Sequence, residues 1–183
     1  MNKNIVVFAA NDCAREKEKY YYGLAYETGK ALAEAGFTTV TGGGPGLMNE
    51  VARGAYENKG ETHGVCLNVK NRIHSSFLTT REMFDLLNPR QDKLLQIADG
   101  FISLPGGIGT LYEVVAVLAL KRKGEIPENK PLILLDNFYH EFHRLIKVME
   151  KEGFVFEGFD KFYDIVKSPE EAVGLLDKKI NQT

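Results

Sequence analysis

The chain has 183 residues, 44% of them hydrophobic and 26% charged, with a formal net charge of −2. That length predicts a single domain with a core of its own, and the weak, interspersed charge argues against a nucleic-acid or anionic-membrane surface. Cys13 and Cys66 form no CxxC and read as reduced thiols of a soluble cytoplasmic protein, and no apolar run approaches the length of a membrane span.

Residues 5–10 read as a buried parallel-type strand, because their apolar side chains are continuous rather than alternating. A polar turn at 11–14 leads into a long helix over about 15–35, closed by Gly36. Residues 37–41 form a second strand that runs into Gly42-Gly43-Gly44-Pro45-Gly46 and a helix over about 47–58. A third strand spans 62–67, a polar stretch follows, and 77–84 reads as a further strand. Asn88 is the expected N-cap, and Pro89 the first residue, of a helix to about 98. The run 100–104 is a strand that enters a glycine-rich turn, and the helix beyond it is apolar on every side over 114–120, as expected of one buried all round. A strand at 132–135, a helix at 139–152, a strand at 162–166 and a helix at 169–179, opened by Ser168-Pro169-Glu170-Glu171, complete the chain. The aromatic run Tyr20-Tyr21-Tyr22 reads as a contact surface.

Strands alternating with helices, most strands nearly all apolar, predict an α/β protein: an open parallel sheet covered on both faces. Ligands of such sheets sit outside the carboxyl ends of the strands, where both glycine turns fall. In Leu104-Pro105-Gly106-Gly107-Ile108-Gly109-Thr110-Leu111-Tyr112-Glu113 a strand end meets a helix start. Bare backbone N–H groups and the helix dipole suit a phosphate there, with Thr110 adding a hydroxyl and Glu113 one turn further in. The same letters, Thr110-x-x-Glu113, also spell a capping box, which needs no ligand. Neither glycine turn completes GxGxxG or a P-loop. His140 and His143 are three residues apart, not the four of a zinc helix, and no metal site is expected. Arg90 reads equally as a surface partner of Asp92 and as a cation leaning into the cleft.

Gly42-Gly43-Gly44-Pro45-Gly46-Leu47-Met48, Arg90, and Pro105 through Glu113 together resemble the signature of the LONELY GUY family, nucleoside 5′-monophosphate phosphoribohydrolases long misnamed lysine decarboxylases. The resemblance implies a single Rossmann-like nucleotide-binding domain over residues 1–183, forming a homodimer and using no metal or organic cofactor. It implies hydrolysis of the N-glycosidic bond of a purine nucleoside 5′-monophosphate, of the AMP or cytokinin riboside type, to free base and ribose 5-phosphate. Arg90 and Glu113 match the family's catalytic pair. Gly106, Gly107, Ile108, Gly109 and Thr110 match its phosphate cradle, and Gly42, Gly43, Gly44 and Met48 its other substrate-binding turn. The chain departs from the plant-type pattern at Gln91, Ala119 and Ala10-Asn11-Asp12, and Arg72 falls near the place of a substrate-contacting acid. A non-catalytic binder, of a nucleotide or of a molybdenum cofactor, is the alternative these departures favour. Some proteins resembling the family are carriers of that kind.

Overall fold

Strand β1 (Asn4–Phe8) lies at the middle of a seven-stranded parallel sheet, and the chain winds outward from it in both directions. A computed structural model describes residues 2–181. From β1 the chain passes through α1 (Glu18–Glu34) to β2 (Thr38–Thr41), then α2 (Leu47–Glu57), β3 (Thr62–Leu67) and the edge strand β4 (Thr80–Phe84). It returns through α3 (Leu87–Ile97) to β5 (Gly100–Ser103) on the other side of β1. It then continues through α4 (Ile108–Lys123), β6 (Leu132–Leu135), α5 (His140–Lys151), β7 (Asp164–Val166) and α6 (Pro169–Asn181). The strand order is β4-β3-β2-β1-β5-β6-β7, every pair parallel. The direction of winding reverses between β1 and β5, and that reversal opens a crevice at the carboxyl ends of those two strands.

Two apolar layers fix which helices share a face. Alternate strand residues point to opposite sides, so Ile5, Val7, Ile102, Ile133 and Leu135 pack with α1, α2 and α6 through Leu32, Val51 and Leu176. Val6, Phe8, Val65, Phe101 and Leu134 pack on the other side with α3, α4 and α5 through Leu94, Val117 and Ile146. Helices α3 and α4 therefore lie on one face, and both begin near the carboxyl edge of the sheet. This topology brings residue 90 to residue 113.

Several boundaries differ from expectation for local reasons. Helix α3 begins at Leu87, with Leu86 as an N-cap that makes no side-chain cap. Asn88 and Pro89 are thus its second and third residues, where proline's missing N–H is not needed. The opening of α6 is as expected: the Glu171 N–H donates to Ser168 Oγ at 3.2 Å, and Glu171 Oε2 accepts from the Lys167 N–H at 2.8 Å. Of the three tyrosines, Tyr20 is exposed and Tyr21 and Tyr22 are half-buried. Tyr20 donates its hydroxyl to Asp136 at 2.5 Å, and Tyr21 and Tyr22 pack against the core. His143 pairs with the Tyr163 hydroxyl at 2.8 Å and Glu141 with Arg144. Among the described residues no helix is long and apolar enough to cross a membrane.

Candidate functional site

The crevice at the β1/β5 reversal is a cleft of about 560 Å³. Its walls are the β1 loop (Ala9 to Asp12), Met48 of α2, Leu67 at the end of β3 and Arg72 beyond it, Leu87 and Arg90 of α3, and, at the start of α4, Gly107 to Thr110 with Tyr112 and Glu113. A second hollow, of about 620 Å³, lies at the opposite sheet edge. Several of its polar groups pair with one another, as His63 does with Thr80 at 2.8 Å and Lys93 with Glu82 at 3.0 Å. The crevice, unlike that hollow, offers open backbone donors and a buried ion pair, which makes it the candidate site.

Arg90 and Glu113 form that pair. Arg90 Nη1 donates to Glu113 Oε1 at 2.6 Å and Arg90 Nε donates to the Val65 carbonyl at 3.0 Å. They are only 9% and 8% exposed, so the surface pairing of Arg90 with Asp92 is excluded. Burial pushes the Glu113 carboxyl above its ordinary 4.5, and the charge and hydrogen bond of Arg90 pull it part of the way back. One carboxylate oxygen is committed to Arg90. The other has no partner among the described residues and belongs to a side chain that lines the cleft.

The capping-box reading of Thr110 and Glu113 fails on geometry. Helix α4 begins at Ile108 with Gly107 as N-cap and no side-chain cap, which puts Glu113 in the second turn and its carboxylate on Arg90. The first intrahelical bond runs from Leu111 N–H to Gly107 O, so the N–H groups of Ile108, Gly109 and Thr110 lack intrahelical acceptors. A Cβ added at Gly107 or Gly109 would meet nothing within 4 Å, so the fold itself does not need glycine at either place. Close approach by a ligand gives a reason for both.

The other glycine turn has a different job. Gly42, Gly43 and Gly44 are buried and are not among the residues lining the cleft, whereas Met48 is. A Cβ at Gly42 would stand 2.0 Å from Arg90 Nη2, so this glycine is the socket in which the arginine lies. Gly46, at φ +66°, lets the β1 loop pass: a Cβ there would meet the Asn11 carbonyl at 1.7 Å. The turn therefore shapes the site from behind. Gly106 is similar, its missing Cβ leaving room for Thr110.

A buried hydroxyl fixes the strand end that feeds the cradle. Tyr139 donates to the Leu104 carbonyl at 2.7 Å, which leaves the Ser103 hydroxyl to donate to the Tyr139 oxygen at 2.6 Å. Burial raises the Tyr139 pKa, so it stays a donor. Tyr139→Phe is expected to destabilise the fold by about 1–3 kcal/mol, because both partners are buried. Urea unfolding measures this, and an unchanged midpoint would contradict it.

Leu67, Leu87 and Tyr112 line the cleft without having been assigned to it from sequence, and so do Asn11, Asp12 and Arg72, which the sequence marked only against the family pattern. Asn11 and Asp12 carried a signal, since they follow the strand that borders the reversal. Leu67 and Leu87 carried none. Of the departures noted above, Gln91 does not line the cleft: it is 2% exposed, and neither amide atom has a partner among the described residues. Ala119 lies exposed on α4. The helix is not buried all round, for Ile108, Leu111, Tyr112 and Val115 form an exposed apolar stripe beside the cleft.

The family model described as "Possible lysine decarboxylase" matches residues 48–176, from Met48 of the cleft wall through Arg90 and Glu113 to α6. The chain belongs to the LONELY GUY family. A member from Oryza sativa subsp. japonica, the cytokinin riboside 5′-monophosphate phosphoribohydrolase LOG, is 30% identical over 150 residues, covering 79% of this chain. This chain spans 61% of that relative's length. A LONELY GUY relative from Rhodococcoides fascians, a cytokinin riboside 5′-monophosphate phosphoribohydrolase, is 30% identical over 159 residues, covering 84% of this chain and 78% of its own. Among solved structures, a molybdenum cofactor binding protein from Rippkaea orientalis superposes with a TM-score of 0.71 at 25% identity over 98% of both chains. The molybdenum cofactor carrier protein of Chlamydomonas reinhardtii gives 0.72 at 22% identity over 99% of both, which shows the shared fold.

Proposed function

We propose that the protein hydrolyses the N-glycosidic bond of a purine nucleoside 5′-monophosphate, releasing free base and ribose 5-phosphate. The observation that carries this reading is the buried Arg90–Glu113 pair, one open carboxylate oxygen on the cleft, beside a helix start with open backbone donors. The phosphate binds at Gly107 to Thr110, where N–H groups and dipole favour an anion. That anchors the non-reacting end, and its binding energy holds the sugar against Glu113. Breaking the ribosyl C–N bond builds positive charge on the sugar, as in glycosidases. The Glu113 carboxylate stabilises that charge and orients the attacking water, while Arg90 holds the carboxylate in place.

Incubation with a panel of nucleoside monophosphates, scored for free base and ribose 5-phosphate, tests the proposal. Turnover of at least one purine nucleotide is expected. Tight binding of a molybdenum cofactor with no cleavage of any nucleotide would favour a carrier, the role named for the Rippkaea and Chlamydomonas proteins. A homodimer through the α4 stripe belongs to the same proposal. Leu111→Asp, at a position outside the cleft lining, is expected to convert a dimer to a monomer in light scattering at micromolar concentration, and a monomeric wild-type chain would refute it.

A further inference from the structure

We infer that the cleft selects a 6-oxopurine base, of the hypoxanthine or guanine kind, over a 6-aminopurine, and that Arg72 makes the selection. This rests on the phosphoribohydrolase reading above and concerns only which base is taken.

Arg72 lies in the segment between β3 and β4, and that segment is tied down along its length. The Asn68 N–H donates to the Phe84 carbonyl at 2.7 Å, the Arg72 N–H to Val69 O at 3.0 Å, and the Ser75 N–H to Gly43 O at 3.0 Å. His74 Nδ1 also approaches Gly43 O at 3.3 Å. From this frame the Arg72 side chain lines the cleft beside Leu67 and Leu87, and it has no hydrogen-bond or ion-pair partner among the described residues. The other arginine of the cleft, Arg90, is already spent on Glu113 and Val65.

The sheet order says which part of a nucleotide Arg72 faces. The phosphate cradle follows β5, and Arg72 follows β3. Between those strands lie β1 and β2, so the strand ends that carry the two sites are about three strand spacings, roughly 14 Å, apart. That is close to the reach of a mononucleotide from its phosphorus to the far edge of its base. With the phosphate on α4 and the sugar against Glu113, a base extending toward β3 lies between Leu67 and Leu87 with its edge at Arg72. Asp12, the remaining charged side chain of the cleft, sits on the β1 loop.

A guanidinium offers only donors. Its complement is an edge with adjacent acceptors, and the O6/N7 edge of a 6-oxopurine is such an edge, which arginine reads with two parallel hydrogen bonds. A 6-aminopurine sets an N–H donor against the guanidinium, and an alkyl group on that nitrogen adds a clash. The substrate expected from Arg72 is therefore of the IMP or GMP type.

The test is kcat/KM for IMP, GMP and AMP with the wild-type protein, Arg72→Gln and Arg72→Glu. The wild type is expected to favour IMP and GMP over AMP by about tenfold or more. Glutamine, which both donates and accepts, should bring the ratio close to one, and glutamate, which only accepts, should turn it toward AMP. A wild-type ratio of one or less overturns the inference. So does an Arg72→Gln protein that loses the same factor on every nucleotide, for that result would put Arg72 on the phosphate. Absence of turnover on all nucleotides would overturn hydrolysis, not base selection. The Kd values of IMP and AMP by calorimetry on the same three proteins would then decide the inference, with a ratio of one against it.

Discussion

Glu113→Gln is expected to lower kcat/KM by about 10²- to 10³-fold while the protein still binds nucleotide, the range found when one preorganised stabilising group is removed. Glutamine keeps an acceptor for Arg90 Nη1 but has no charge to set against the developing positive sugar. The pH profile gives an independent check. The active form is the ionised carboxylate, and burial holds its pKa above 4.5 despite Arg90. Activity should thus fall as pH drops through a value above the ordinary glutamate range. Arg90→Gln removes the charge and hydrogen bond that lower this pKa, so the acid limb should move to still higher pH. A limb at or below pH 4.5, or one that stays put in Arg90→Gln, would mean that the titrating group is not Glu113. Full activity in Glu113→Gln would remove the residue from the mechanism.

Gly42→Ala is expected to cost about 10²-fold in kcat/KM, although residue 42 does not line the cleft. The new Cβ would meet Arg90 Nη2 at 2.0 Å and Met48 Sδ at 2.9 Å. Both are ends of flexible side chains, so the fold can accommodate the methyl group by moving them. The guanidinium that moves is the one that holds Glu113, and displacement of a positioning group by an ångström is enough for a loss of that size. Gly107→Ala is the useful contrast. Its Cβ enters open space in the protein, so its melting temperature should be unchanged and any loss should appear in phosphate binding. Wild-type activity in a correctly folded Gly42→Ala protein would show that Arg90 does not need its socket.

Much of this architecture was legible in the chain. Continuous apolar runs at residues 5–10, 100–104 and 132–135 mark strands buried on both faces, and they form β1, β5 and β6 at the heart of the sheet. Glu113 was legible beside a glycine-rich helix start, whereas Arg90 read equally as a surface partner of Asp92, and only the family resemblance joined the two as a pair. What they do to each other was not. Side chains 23 positions apart meet only because α3 and α4 share a face, and no local pattern records that. The Gly42 turn shows the same limit. Its letters suggest backbone laid against a ligand, whereas the missing side chains make room for Arg90, Cys66 and Asn11. Spacing shows that a Cβ is absent but not what fills the space. The apolar run over 114–120 marks a helix with no polar face but not what covers it: Val115 is exposed on this chain, and periodicity cannot separate contact within the protein from a stripe that a second copy would cover.

A crystal structure of the Glu113→Gln protein with an uncleaved purine nucleoside 5′-monophosphate tests the role of the Arg90–Glu113 pair most directly. The phosphate is expected within hydrogen-bonding distance of the Gly109 and Thr110 N–H groups, with the ribosyl C–N bond beside residue 113 and the Arg90 guanidinium. A phosphate seated at the Gly42–Gly46 turn, or a ribose away from residue 113, would contradict it.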